Sequence, residues 1–182
     1  MASAFIISVF GSSRCAQEDE TYTIALNLGA ALARADFAVA SGGYGGTMEA
    51  VSRGATEAGG RVIGVVASVF STKANPWVQE TIVVSNWEDR LLQLIALGDG
   101  YVALPGGTGT LVELAVAWEM IHKHIMPSKP LLAFGEFWRP IISQVESADG
   151  NSRGLVGLAN DVPDAVAALR AALHSASPPH AP

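Results

Sequence analysis

Basic charge is scarce in this chain: 11 Lys and Arg face 17 Asp and Glu over 182 residues, a net charge of −6 at pH 7. Such a balance is a poor match to a phosphate backbone and argues against broad binding to a nucleic acid polymer. Cysteine is scarcer still. Cys15 alone cannot close an internal disulfide, in keeping with a reducing compartment, and without an evident histidine partner it reads as a small half-buried thiol rather than a nucleophile. No run of 18 apolar residues exists, so no membrane-spanning helix is expected. The start, Met1-Ala2-Ser3-Ala4-Phe5, lacks the basic stretch and long apolar run of a signal peptide, and the expectation is a soluble cytoplasmic protein with no membrane partner. Lysine is limited to Lys73, Lys123 and Lys129, none at a glycine-rich strand end, which speaks against a pyridoxal phosphate Schiff base.

What is present is apolar. With 49% hydrophobic residues and a mean hydropathy of +0.32, an 18.9 kDa chain can bury one sizeable core, and its surplus apolar surface points to a subunit interface. Short β-rich runs at Phe5 to Phe10, Phe37 to Ala40, Arg61 to Val66, Thr81 to Val84, Tyr101 to Leu104 and Pro130 to Phe134 predict six buried strands. Between them Glu18 to Ala35, Thr47 to Ala58, Trp87 to Ala96 and Thr110 to His122 repeat apolar residues at helical spacing. A last helix, Val162 to Leu173, is opened by Asp161 as N-cap and Pro163 in the first turn. The alternation predicts an α/β fold, a doubly wound parallel sheet with helices on both faces. One domain over residues 1–173 is expected, with 174–182 a disordered tail containing three prolines.

Open sheets of this kind bind ligands beyond the carboxyl ends of their strands. Two glycine-rich turns occupy such positions. Ser41-Gly42-Gly43-Tyr44-Gly45-Gly46-Thr47 follows the second strand, and Pro105-Gly106-Gly107-Thr108-Gly109-Thr110 follows the fifth. Glycines without a β-carbon let several backbone N–H groups converge at the positive end of a helix, where a phosphate fits, and Thr108 and Thr110 add hydroxyl donors. In the first turn, Gly11-Ser12-Ser13-Arg14-Cys15, Gly11, Ser12 and Ser13 are binding candidates, but the glycine fingerprint of a dinucleotide oxidoreductase is missing. The Lys-Ser/Thr pair of a P-loop follows neither glycine turn, which disfavours an NTPase. The pattern suits a nucleoside monophosphate or sugar phosphate, held without a cofactor. His122 and His124 fall on different faces of a helix with no carboxylate cluster, so no metal site is expected.

Two charged residues are candidates for chemistry. Glu113 lies one turn inside the helix opened by the second glycine turn, within reach of a ribose or a water. Arg90 follows the fourth strand and could clamp a phosphate or polarise a leaving group.

Together, Ser41-Gly-Gly-Tyr-Gly-Gly-Thr-Met48 and Pro105-Gly-Gly-Thr-Gly-Thr-Leu-Val-Glu113 resemble the Lonely Guy family of nucleoside-monophosphate phosphoribohydrolases, often mislabelled lysine decarboxylases. The second stretch matches the family's Pro-Gly-Gly-x-Gly-Thr-x-x-Glu pattern at Pro105, Gly106, Gly107, Gly109, Thr110 and Glu113. The resemblance implies a homodimeric Rossmann-like domain that hydrolyses the N-glycosidic bond of a cytokinin nucleotide or AMP, with Arg90 and Glu113 catalytic. It implies nucleotide contacts from Gly11, Ser12, Ser13, Gly42, Gly43, Gly46, Thr47, Gly106, Gly107, Thr108, Gly109 and Thr110. The chain departs from the family at Ser41, Thr47 and Glu49, at Val112, and around the arginine, where Leu91 replaces a lysine and Trp87-Glu88-Asp89 precedes. A cation is lost and acids are gained, so weaker phosphate binding is expected. Molybdenum-cofactor carrier proteins look similar in fold and also use glycine-rich turns, so a carrier or sensor without enzymatic activity is the alternative.

Overall fold

Ser8 and Phe10 point one way from their strand and Ile7 and Val9 the other, and both sets are buried. A strand covered on both faces must lie inside a sheet with helices above and below. The computed structural model, which describes residues 5–175, shows that sheet. Its seven strands are β1 (Ile6–Phe10), β2 (Ala38–Ser41), β3 (Val62–Ala67), β4 (Glu80–Val84), β5 (Gly100–Ala103), β6 (Leu131–Phe134) and β7 (Gly157–Ala159). All pair in parallel, in the order β4-β3-β2-β1-β5-β6-β7. The doubly wound, Rossmann-like expectation holds.

On one face, Ala25, Leu28 and Leu32 of α1 (Glu20–Arg34), Val51 of α2 (Thr47–Glu57) and Leu169 of α6 (Val162–Ser175) cover Ile7, Val9, Val39 and Val102. On the other, Leu94 of α3 (Trp87–Leu97), Trp118 of α4 (Thr108–His122) and Trp138 of α5 (Gly135–Ala148) cover Phe10, Ile63 and Tyr101. Polar atoms inside this second layer are satisfied: Ser8 Oγ donates to the Leu94 carbonyl, Tyr101 Oη to Ile95, and Trp138 Nε1 to Leu104. Asn86 caps α3 by accepting from the Asp89 N–H at 2.7 Å, and Asp161 does the same for α6 through Asp164 at 2.8 Å.

Three expectations change. The fourth strand was expected to be buried, but β4 is an edge strand with Thr81 and Val83 exposed. Helix α5 and the short β7 went unassigned because Gly135 and Pro140 interrupt the helical pattern and three residues carry no period. Helix α6 runs to Ser175, so His174, expected in the tail, is helical and lies edge-on to Phe5 at 6.0 Å. The rest of that tail, residues 176–182, lies outside the described residues.

Candidate functional site

The chain leaves β1 toward β4 on one side, then crosses back to β5 on the other side of β1. Loops after β1 and β5 therefore diverge and open a crevice at the carboxyl edge of the sheet. A cleft of about 690 Å³ occupies it. From the predicted site it gathers Gly11, Ser12 and Ser13 after β1, Gly107, Thr108, Gly109 and Thr110 at the start of α4, and both Arg90 and Glu113.

The two glycine turns have different places. At the first, Gly46 adopts φ 65°, a left-handed conformation, and a β-carbon there would stand 2.3 Å from the Ser12 carbonyl oxygen. Thr47 donates to that same oxygen through its N–H at 2.9 Å and its hydroxyl at 3.1 Å. Ser41 Oγ accepts from the Gly43 N–H, and the Asn75 side-chain amide holds the Gly43 and Tyr44 carbonyls. Gly46 and Thr47 thus tie the β1–α1 loop to α2, while Gly42 packs on Arg90 and Met48 and Gly43 on Val66; none of the four is in the cleft lining. The second turn opens into the cleft. Gly107 caps α4 with no side-chain hydrogen bond, and the first N–H groups of a helix have no partner within it. Gly107 to Thr110 line the cleft at the positive end of the α4 dipole, a setting that suits an anion. Gly106 sits beside the cleft, in a smaller adjoining pocket.

Arg90 is buried, 7% exposed, with its guanidinium held on several sides. Nε donates to the Val65 carbonyl at 3.0 Å, one terminal nitrogen meets Met48 Sδ at 3.6 Å, and the Tyr44 ring lies 5.3 Å from Cζ. The other terminal nitrogen stands 3.7 Å from Glu113 Oε1. Burial pushes the Glu113 carboxyl up to about 7, and Arg90 beside it pulls the other way. Around neutral pH this carboxyl both holds and releases a proton, which is what a general acid–base needs.

The departures from the family pattern look different in three dimensions. Leu91 and Val112 turn into the core layer under α3 and α4, away from the cleft. Glu88 and Asp89 are exposed, and Asp89 Oδ2 is engaged by Ser85 and by the Asn86 amide at 2.9 Å. Neither acid lines the cleft, so the charge expected to weaken phosphate binding is directed elsewhere.

Of the remaining lining residues, Phe70 and Arg14 carry no signal in the sequence, which leaves open whether Tyr44 and Trp87 line the pocket; here all four do. Tyr44, Phe70 and Trp87 form aromatic walls, with the Tyr44 and Phe70 rings edge-on at 6.5 Å. Tyr44 Oη is locked by the Ala67 N–H, which donates at 2.9 Å, and by carbonyls of Ala67 and Ser71. Arg14 joins them from the β1–α1 loop. Phe70, on the loop after β3, reaches the cleft only through the fold. Cys15 is half-buried as expected, its thiol raised by burial and then by Asp19. His122 lies between Glu119 and Asp149, and His124 has left the helix; among the described residues no group of three or more metal-ligating side chains forms.

Fold and cleft define a Rossmann-like α/β protein with a cleft at the carboxyl edge of its sheet, lined in part by a glycine turn. The chain belongs to the SLOG cluster4 family, whose model matches residues 4–157. It is 31% identical over 159 residues to the cytokinin riboside 5′-monophosphate phosphoribohydrolase of Rhodococcoides fascians, covering 81% of this chain and 80% of that one. A rice enzyme of the same name (Oryza sativa subsp. japonica) is 32% identical over 114 residues, 60% of this chain, and this chain spans about half of it, 47%. Among solved structures, the molybdenum cofactor carrier protein of Chlamydomonas reinhardtii superposes with a TM-score of 0.75 at 27% identity, over 95% of this chain and 99% of that one. The family resemblance read from the two glycine motifs is borne out. Among the described residues no helix is long and apolar enough to cross a membrane.

Proposed function

We propose that this protein hydrolyses the N-glycosidic bond of a nucleoside 5′-monophosphate, AMP or a cytokinin nucleotide, releasing free base and ribose 5-phosphate in the cytoplasm. The observation that carries the reading is the buried Glu113 carboxyl, 3.7 Å from Arg90 and one turn into a helix whose N-terminus faces the same cleft. A nucleotide with its phosphate on the α4 amides and the Ser12-Ser13 loop brings its ribose to Glu113 and its base toward Tyr44 and Trp87. Water attacks C1′ as the C1′–N bond breaks, and its proton passes to the Glu113 carboxylate. The bonding pair leaves with the base, which takes up a proton to depart neutral. The Glu113 charge also stabilises the cationic character that develops on the sugar. Arg90, fixed by Val65 and Met48, orients Glu113 and the substrate. The relative from Rhodococcoides fascians, matched over four fifths of both chains, supports the reading.

The test is incubation with AMP and isopentenyl-AMP, following free base by chromatography, with Glu113→Gln and Arg90→Ala alongside. Base release by the wild type, lost in both variants, is the expected result. No base from the wild type under any nucleotide rejects hydrolysis.

A second reading is a carrier or sensor of a nucleotide or a phosphorylated pterin, favoured by the match over 99% of the Chlamydomonas carrier. There Glu113→Ala leaves ligand affinity intact and no base ever appears.

A further inference from the structure

The cleft's lining carries three acidic or basic side chains: Glu113, Arg90 and Arg14. Two of them are committed to each other. Arg90 gives Nε to the Val65 carbonyl and one terminal nitrogen to Met48, and its other terminal nitrogen stands 3.7 Å from Glu113, so its charge is already shared with a carboxylate. Leu91, where the family pattern has a second cation, is packed into the core. A dianionic phosphate on the α4 amides would then meet backbone dipoles and no free positive charge, unless Arg14 supplies it.

Arg14 is placed to do so. It shares with Ser12 and Gly107 the boundary between the large cleft and the smaller adjoining pocket, beside the α4 N-terminus. Its backbone N–H is anchored to Ser12 Oγ at 3.1 Å, while its exposed side chain makes no hydrogen bond or ion pair among the described residues. By contrast Arg53 and Arg61 are engaged by Glu57 and Glu80. The one carboxylate sharing the small pocket with Arg14, Asp19, accepts from the Ala16 N–H at 2.8 Å. An unengaged guanidinium needs no ion pair broken before it closes on an anion, and its planar fork suits two phosphate oxygens at once.

We propose that Arg14 is the specificity residue for the 5′-phosphate, a cation delivered from the β1–α1 loop in place of the one missing after Arg90. It rests on the nucleotide reading of the cleft and not on the hydrolysis. It selects a nucleoside monophosphate over the free nucleoside, while Arg90 stays with Glu113.

Calorimetric titration of the full chain with AMP and with adenosine, at low and high salt, tests this in the wild type, Arg14→Ala and Arg14→Lys. The wild type is expected to prefer AMP, and Arg14→Ala to lose about tenfold in AMP affinity with a smaller loss for adenosine. Arg14→Lys should recover part of the preference, and the salt dependence of AMP binding should flatten in Arg14→Ala. An unchanged AMP-to-adenosine ratio in Arg14→Ala, equal loss for both ligands, or a wild type without preference for AMP overturns the proposal. Base release followed on the same samples separates the two ideas: absent release with a preserved, Arg14-dependent AMP preference rejects hydrolysis and leaves Arg14 as the phosphate selector.

Discussion

Gly42 owes its identity to Arg90: a β-carbon at Gly42 would stand 1.6 Å from an Arg90 terminal nitrogen and 2.6 Å from Met48 Sδ. The glycine thus leaves a slot for the guanidinium. Gly42→Ala should displace Arg90 from Val65 and Glu113. We expect a loss of base release of at least about tenfold and a stability loss of about 1–3 kcal/mol, the range for overpacking. Melting curves and initial rates check both; an Ala variant with full activity would disconnect Arg90 from the reaction.

Glu113 sets the pH dependence. Its carboxyl is held at about 7, and water activation needs the carboxylate, so kcat should rise as pH increases through about 7 and level off above it. Arg90 lowers the value, so removing it raises the value further and moves the rise to higher pH in any residual activity of Arg90→Ala. A rate flat from pH 5.5 to about 8.5 contradicts the role of Glu113.

The same carboxyl costs stability. Its value is raised from 4.5 to about 7 in the folded chain, so between these limits the folded state holds more proton than the unfolded one and stability falls as pH rises. Above about pH 7 the penalty is complete, on the order of 3 kcal/mol. Glu113→Gln, neutral at every pH, should therefore melt several degrees above the wild type at pH 8 and equal it near pH 4.5. A Gln variant that is no more stable at pH 8 shows the carboxylate to be better solvated than its burial implies.

The aromatic walls should hold the base. Trp87 is 38% exposed and Phe70 61%, so both keep a free face toward the cleft mouth. Stacking of a base on an aromatic ring is worth about 1–3 kcal/mol, and Trp87→Ala should raise KM for AMP about 5- to 50-fold. Ribose 5-phosphate, which has no base, should bind both proteins equally. Equal weakening of ribose 5-phosphate would remove the base from this wall.

A dimer is expected from the apolar excess. Leu111, Ile141 and Val145, 37%, 38% and 42% exposed, line one groove between α4 and α5. An apolar groove flanked by the helix that carries Glu113 suits a second copy of the chain. Light scattering should give about twice 18.9 kDa for the wild type and a single chain for Ile141→Asp. A monomeric wild type at micromolar concentration rejects the interface.

Much of this molecule was legible in one dimension. Runs such as Val62–Ala67 are buried on both faces and therefore continuous in apolar character, and α1 shows its stripe at three- and four-residue steps. The Pro105-to-Glu113 motif could be read because its chemistry is local: a glycine turn, a helix start, and a carboxylate one turn later. Helix α5 escaped because Pro140 sits within it, and β4 was misjudged as buried because an edge strand can be as apolar as an inner one. The first glycine turn looked like a second anion cradle, since glycine content reports where backbone comes close and not what it comes close to. Here it is the Ser12 carbonyl and Arg90.

Periodicity and turn chemistry act over a few residues, so the amino-acid order was enough to predict six of the seven strands, five of the six α-helices and the glycine turn at α4 among the described residues. Distances between residues far apart in the chain depend on strand order and on which face each side chain takes. That level settled that Arg90 meets Glu113 at 3.7 Å, that Leu91 and Asp89 lie outside the cleft, and that Arg14 is at its rim. The Glu113 carboxyl is lifted to about 7 for the same reason, because only packing removes it from water.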